Sequence, residues 1–216
     1  MLEAGPTERV RRANRRGLAT RENMLEAALD ALATGDPGAV SANRIAKRIG
    51  ATWGAVKYQF GDIDGLWAAV LRRTAERRAG FLGRPDPAAP LRDRVAAIID
   101  VLYDGLTARD SRAIENLRAA LPRDRDELER CYPRTAAELS SWGRGWLQTC
   151  REAFAGLDLD PERIREVAAF IPGAMRGIVS ERQLGTYTDL ELARRGLTNA
   201  IVSYLETGRE RDEANR

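Results

Sequence analysis

Apolar residues recur at helical spacing along almost the whole chain, and no run alternates apolar and polar positions for more than a few residues. Nothing supplies the two-residue period of a half-buried strand, so the chain has to fold as packed helices. The pattern predicts an all-α protein of about nine helices. With 216 residues, 44% of them hydrophobic, such a chain can bury a core without covalent staples. Cys131 and Cys150 fit neither a disulfide framework nor a zinc spacing and read as reduced thiols of a cytosolic protein.

The helix signals place the elements. Thr20 is a good N-cap for a first helix carrying Met24, Leu25, Ala28, Leu29 and Leu32 on one face, stopped by Gly35-Asp36-Pro37-Gly38. A second helix follows Ser41, turns Ile45, Ala46 and Ile49 inward, and ends at Gly50, placed to take the left-handed conformation. Thr52 caps a short third helix with Val56 and Phe60 on its inner face. A fourth runs from Asp62 to Leu82. Gly83-Arg84-Pro85-Asp86-Pro87-Ala88-Ala89-Pro90 cannot continue a helix and marks a linker. Beyond it the periodicity predicts helices at about 90–109, 110–121, 124–155, 161–184 and 188–207.

Charge and composition narrow the function. There is no histidine, which removes the commonest general base and neutral metal ligand. No nucleophile motif or glycine-rich phosphate loop takes its place, and no metal or cofactor is expected. Asp124, Asp126, Glu127 and Glu129 suit a helix N-terminus better than a pair of catalytic carboxylates. An α-helical enzyme is the least favoured reading. No export signal is evident at the start, and every apolar run is broken by charge before a membrane span is reached, so a soluble, cytoplasmic protein is expected. The net charge of +3 is uneven: residues 1–78 hold 14 Lys and Arg against 9 Asp and Glu. A basic front end suits a polyanion, because arginine and lysine supply phosphate contacts.

The stretch from Ser41 to Phe60 meets the mechanical needs of a helix-turn-helix. Ala46 is small where the two helices cross, Gly50 makes the turn, and Ile45, Ile49, Val56 and Phe60 pin the pair to the first helix. The outer face of the third helix stays free, with its N-terminus suited to phosphate and Trp53, Lys57 and Tyr58 able to reach bases or backbone.

Arg21-Glu22-Asn23-Met24-Leu25-Glu26-Ala27-Ala28-Leu29, then Ile45-Ala46, Gly50, Gly54, Phe60 and Leu66, resembles the N-terminal domain of the TetR family over about residues 20–70. The resemblance implies a three-helix DNA-binding unit, a linking fourth helix, an all-helical C-terminal domain, a homodimer, and repression relieved by a small ligand. The division expected is a basic arm at 1–19, a helix-turn-helix domain at 20–66 and a ligand-binding and dimerisation domain at 67–216, with the linking helix at about 62–82. The candidate DNA contacts are Ser41, Arg44, Thr52, Trp53, Gly54, Ala55, Lys57 and Tyr58. Two departures stand out. Lys57 occupies the family's usual Tyr position, leaving Tyr58 one place late, and Ile63 and Asp64 stand where a lysine is common. Arg9, Arg11, Arg12, Arg15, Arg16 and Arg21 can compensate as a flexible arm along phosphates or in a minor groove, with a disordered tail kept soluble by its charge as the alternative. Removing residues 1–16 is expected to weaken DNA binding and flatten its salt dependence; an unchanged salt slope contradicts a role for the arm.

The C-terminal part carries no motif of its own. Trp142 and Trp146 share a helical face with Gly143 and Gly145 beside them, which suits either close approach of another helix or the wall of an apolar pocket. Pro172-Gly173 is expected to bend or break its helix and free carbonyls near Ala168 and Ala169 that must find partners. Tyr103, Trp142, Trp146, Phe170 and Met175 are the pocket candidates. The last two helices offer a dimer seam by resemblance, with Ile171, Ile178, Ala193, Leu197, Ala200, Ile201 and Tyr204 as its residues and ordinary core as the alternative. The expectation is a DNA-binding repressor of palindromic operator sites, released by a small apolar ligand. A regulator whose C-terminal domain binds a partner protein and no small molecule is the alternative, favoured by a solidly packed C-terminal core.

Overall fold

The helical period of the sequence is realised in the computed structural model. It describes residues 6–36, 41–48, 50–78, 86, 88–186 and 189–214, with side chains described within these spans from residue 17 to 207 except Ala42. Among the described residues there are ten helices and no strand: α1 (Pro6–Ala33), α2 (Ala42–Arg48), α3 (Trp53–Phe60), α4 (Ile63–Arg78), α5 (Leu91–Thr107), α6 (Arg109–Ala120), α7 (Arg125–Cys131), α8 (Pro133–Ala153), α9 (Pro161–Leu184) and α10 (Leu190–Ala214).

Two helix boundaries differ most from the sequence expectation. α1 starts at Pro6, so Thr20 lies inside a helix and the stretch expected as a flexible arm is helical backbone. Proline suits a first turn, where its missing N–H would have no partner, and only Gly17 then opposes the helix before Ala33. The side chains of Arg9, Arg11, Arg12, Arg15 and Arg16 lie outside the described residues, as do Ile49, the last residues of the expected fourth helix, 79–82, and half of the expected linker, residues 83–85 and 87. The helix expected over 124–155 is two helices. Tyr132 between them sits at φ −139° and ψ 60°, because Pro133 cannot continue α7 and instead begins α8. Asp124 caps α7, accepting from the Glu127 N–H at 2.9 Å.

Pro172 does not break α9, which stays helical from Pro161 to Leu184. The proline lacks the N–H that would bond Ala168, and that carbonyl instead accepts the Trp146 indole N–H at 2.7 Å. The sequence predicts a freed carbonyl near Ala168; its partner is an aromatic donor from α8.

The chain forms two compact units, one of Met1–Glu76 with Arg109–Leu139 and the other of Arg77–Ala108 with Ser140–Arg216. This division differs from a cut at residue 66/67. Residues 67–76 belong with the helix-turn-helix, as do α6 and α7, which return to it from later in the chain. In the first unit α1 packs along α6 and α2. Leu29, Leu32, Ile45, Leu66, Trp67, Leu71, Ile114 and Leu117 are almost fully buried, each such side chain contributing about 1.5–3 kcal/mol of burial. Arg109 at the start of α6 ties to α1 through Glu26 and Asp30, both at 2.6 Å. The Asn116 amide donates to the Leu32 carbonyl at 2.7 Å, near the C-terminal end of α1.

In the second unit α5, α9 and α10 pack around a core that includes Val95, Ile98, Ile99, Phe154, Val167, Ile171, Met175 and Ile201. Arg94 is buried within it. Its guanidinium donates to the Ala153, Ala155 and Ala89 carbonyls at 3.1, 2.8 and 3.0 Å, capping the end of α8 where the helix dipole favours a cation.

Candidate nucleic-acid interface

The turn between α2 and α3 is built as its residues require. Gly50 has φ +64°, a conformation open to glycine at no steric cost. The Ala51 N–H reaches back to the Ala46 carbonyl at 3.0 Å and the Gly50 N–H to Lys47 at 3.2 Å, the paired bonds that close a helix on a left-handed residue. The Thr52 hydroxyl then accepts from the Ala55 N–H at 3.2 Å and starts α3. Ile45, Ala46, Val56 and Phe60 are buried, as their spacing required.

What remains of α3 faces outward. Tyr58 is 88% exposed. Lys57, Gly54 and Thr52 are exposed with it, Ser41 and Arg44 are exposed on the α2 side, and Trp53 and Ala55 are half-buried. Among the described residues Arg44 meets Asp36 at 3.8 Å, both groups exposed, and such a pair is worth little.

Two of the basic residues are committed to holding α3 and its neighbours. Arg48 donates to the Ala31 carbonyl at 3.2 Å and the Thr34 hydroxyl at 3.1 Å, closing the end of α1. Arg21, grouped by sequence with the arm, donates to the Gln59 carbonyl at 2.6 Å and lies 4.4 Å over the Phe60 ring. It ties the C-terminal end of α3 to α1, an end where the helix dipole favours a cation.

A second guanidinium serves the same end, and the sequence alone did not single it out. Arg134, in the first turn of α8, donates to the Phe60 carbonyl at 3.3 Å, to Asp64 at 3.2 Å and to Asp62. Asp64, 6% exposed, in return caps α8. Its carboxylate accepts the Arg134 N–H at 2.9 Å, the Thr135 N–H at 2.9 Å and the Thr135 hydroxyl at 2.7 Å. Asp62 accepts from the Gly65 N–H at 2.8 Å and starts α4. Ile63 and Asp64, where the family resemblance implies a lysine, are thus half-buried and buried. The available signal was Pro133, which as the first residue of a helix leaves the next N–H groups in need of an acceptor.

Burial pushes the Asp64 carboxyl up, but hydrogen bonds from Thr135 and Arg134 outweigh it and hold its pKa below the ordinary 3.8. A carboxyl depressed in the folded state adds stability above its unfolded pKa and loses it as pH falls through the folded value. Part of the acid sensitivity below about pH 4 therefore belongs to Asp64. Asp64→Asn is expected to lower the urea midpoint at pH 7 and to show a smaller further drop near pH 3 than the parent; equal acid slopes would remove Asp64 from the account.

The C-terminal candidates scatter. Met175 is fully buried in the second unit's core, and Trp146 and Tyr103 pack against it. Phe170 is 41% exposed on α9. Trp142 is half-buried, 5.4 Å from the Arg78 guanidinium. Among the described residues a Cβ added at Gly143 or Gly145 would meet nothing within 4 Å, so neither glycine marks a close approach of a described helix. Of the dimer candidates, Ile171 and Ile201 have no exposure and belong to the protomer's own core. Tyr204 is 38% exposed, bonded to Glu166 and stacked 4.7 Å under Arg163. Ile178, Ala193, Leu197 and Ala200 do converge. With Leu190, Leu192 and Gly196 they line an open groove of about 500 Å³ on α9 and α10. Among the described residues no cluster could hold a metal ion, and no helix is long and apolar enough to cross a membrane.

No family model and no curated protein sequence matches the chain. Solved structures do. A TetR-family transcriptional regulator from Streptomyces coelicolor is similar over 91% of this chain and 84% of its own, with a TM-score of 0.68 at 18% identity. NalD, the secondary repressor of the MexAB-OprM multidrug efflux pump in Pseudomonas aeruginosa, covers 88% of this chain and 98% of its own at a TM-score of 0.62 and 18% identity. The multidrug binding protein EbrR, complexed with imidazole, covers 83% and 93% at a TM-score of 0.59 and 22% identity.

Proposed function

We propose that this chain, which has the fold of the TetR-family transcriptional regulators, is a sequence-reading DNA-binding protein that acts as a homodimer on palindromic operator sites. The observation that carries the reading is the outer face of α3. Tyr58 stands 88% exposed beside exposed Lys57 on a helix that is capped at its start and tied at its end by two arginines. A large aromatic side chain left in water on so well anchored a helix suits base or phosphate contact in a major groove. The α9–α10 groove, apolar apart from Glu181, suits a second copy of the chain. Two α3 helices across a two-fold axis would then meet successive turns of DNA, near 34–36 Å apart. No catalytic step is part of the proposal.

The finer reading is repression released by a small apolar ligand in the C-terminal helices. The likeness to EbrR, a multidrug binding protein with structures in complex with imidazole and proflavin, supports it. One observation favours the alternative of a protein partner: Ile171 and Met175 have no exposure, and of the five pocket candidates Trp142 and Phe170 stand outside the packed core that holds Met175 with Trp146 and Tyr103 against it.

The test is selection of duplexes from a random pool by the purified protein at moderate salt. A palindromic motif is expected. In the same selection Trp53→Ala/Lys57→Ala/Tyr58→Ala, which leaves the buried Val56 and Phe60 of α3 in place, is expected to enrich nothing, since each lost base contact costs roughly 1–3 kcal/mol. Sequence-indifferent binding by the parent protein would overturn the reading.

A further inference from the structure

We infer that Arg134 is a positioning residue for DNA reading, fixing the C-terminal end of the recognition helix from a cradle built at the α3–α4 corner; the inference rests on the DNA-binding role proposed above. α3 has only eight residues, too few to be stable without outside support. Its start is set by Gly50 and Thr52. Its end is set from outside, by Arg21 on the Gln59 carbonyl and Arg134 on the Phe60 carbonyl.

The cradle is shaped for a guanidinium. A Cβ at Gly61 would sit 3.5 Å from an Arg134 nitrogen, and one at Gly65 would sit 2.6 Å from it. Gly61 also needs the freedom of a glycine for its φ of +86°. Around the two glycines stand three acceptors: the Phe60 carbonyl, Asp62 and Asp64. A planar fork satisfies acceptors in several directions at once, which an ammonium cannot match. Asp64 completes the arrangement by capping the helix that carries Arg134, so the end of α3 and the start of α8 hold each other.

Two carboxylates balance the charge of Arg134, so its contribution to DNA binding should lie in the angle of α3 and not in phosphate attraction. Base contacts fail when their carrier is displaced by even about half an ångström, whereas non-specific attraction hardly notices. The expected signature is therefore lost discrimination with the salt dependence unchanged.

The experiment uses the full chain with Arg134→Ala and Arg134→Lys. It measures affinity for the selected operator and for a scrambled duplex of equal length at several salt concentrations, together with amide hydrogen exchange without DNA. For Arg134→Ala, operator affinity should fall tenfold or more, about 1.4 kcal/mol per factor of ten. Scrambled-duplex affinity and salt slope should stay, and exchange should quicken at Tyr58–Gly61 but not in α9. Arg134→Lys should recover part of each effect. Should Arg134→Ala fold poorly, Asp62→Asn keeps the α4 cap, weakens the exposed Arg134 partner and should show the same pattern more mildly. Unchanged operator affinity and exchange would overturn the inference. So would equal losses on both duplexes with a salt slope lowered by about one, which marks a phosphate contact. If the parent protein itself fails to discriminate duplexes, the DNA-binding reading falls, and the exchange data alone still decide whether Arg134 holds α3.

Discussion

Replacing Gly65 by alanine is expected to destabilise the helix-turn-helix unit by about 3 kcal/mol, the upper end of what overpacking usually costs. Gly65 lies in the first turn of α4, and glycine-to-alanine changes inside helices ordinarily stabilise by up to about 1 kcal/mol. Here the added Cβ would lie 2.0 Å from the Phe60 carbonyl oxygen. The arginine that also crowds the site could swing away, but the carbonyl is backbone at the end of α3 and can move only if the helix moves. Truncating Arg134 should therefore not rescue the variant. Gly145→Ala is the control, since its Cβ would meet nothing within 4 Å and the site is an exposed helix position. Urea unfolding should show opposite signs for the two substitutions. A stabilised Gly65→Ala would mean that the α3–α4 corner is looser than described.

Gly196→Arg is expected to leave the protomer folded and to cost operator affinity a hundredfold or more. Gly196 is exposed on α10 and lines the apolar groove, and a Cβ added there would meet nothing within 4 Å, so the lone protomer gains a better helix former without a clash. A second copy seated in the groove would instead have to bury an unpaired guanidinium, at several kcal/mol. Losing the dimer removes the gain from joining two half-site contacts, of order 10² to 10⁴. Sedimentation should show a monomer and anisotropy the weakened binding, with thermal stability equal to or above that of the dissociated parent. A Gly196→Arg protein that stays dimeric would move the interface elsewhere.

The parts legible in the sequence are those set by local chemistry. Gly50, Thr52 and the Ile45, Ala46, Val56 and Phe60 spacing fixed the helix-turn-helix because each residue acts within a few positions of itself. The need of the Ala168 carbonyl for a partner was legible for the same reason; that Trp146 supplies the donor was not, because it comes from another helix. The α7–α8 break was missed although Pro133 marks it, since the apolar period runs on across it. Arg134, Asp64 and Gly65 were out of reach for a different reason. They meet across about seventy positions of chain, and separation in sequence carries no signal of contact without the fold. Ile171 and Ile201 show the converse limit: an apolar stripe reads the same whether it faces the protomer's core or a second copy, and here those two face the core.

A hydroxyl-radical footprint of the protein on the selected duplex tests directly whether two copies read DNA through α3. Two protected patches related by a two-fold axis are expected, on one face of the DNA and separated by one or more helical turns, both vanishing together with Trp53→Ala/Lys57→Ala/Tyr58→Ala. A single protected patch, or uniform weak protection without a centre of symmetry, would contradict a dimer that reads DNA through α3.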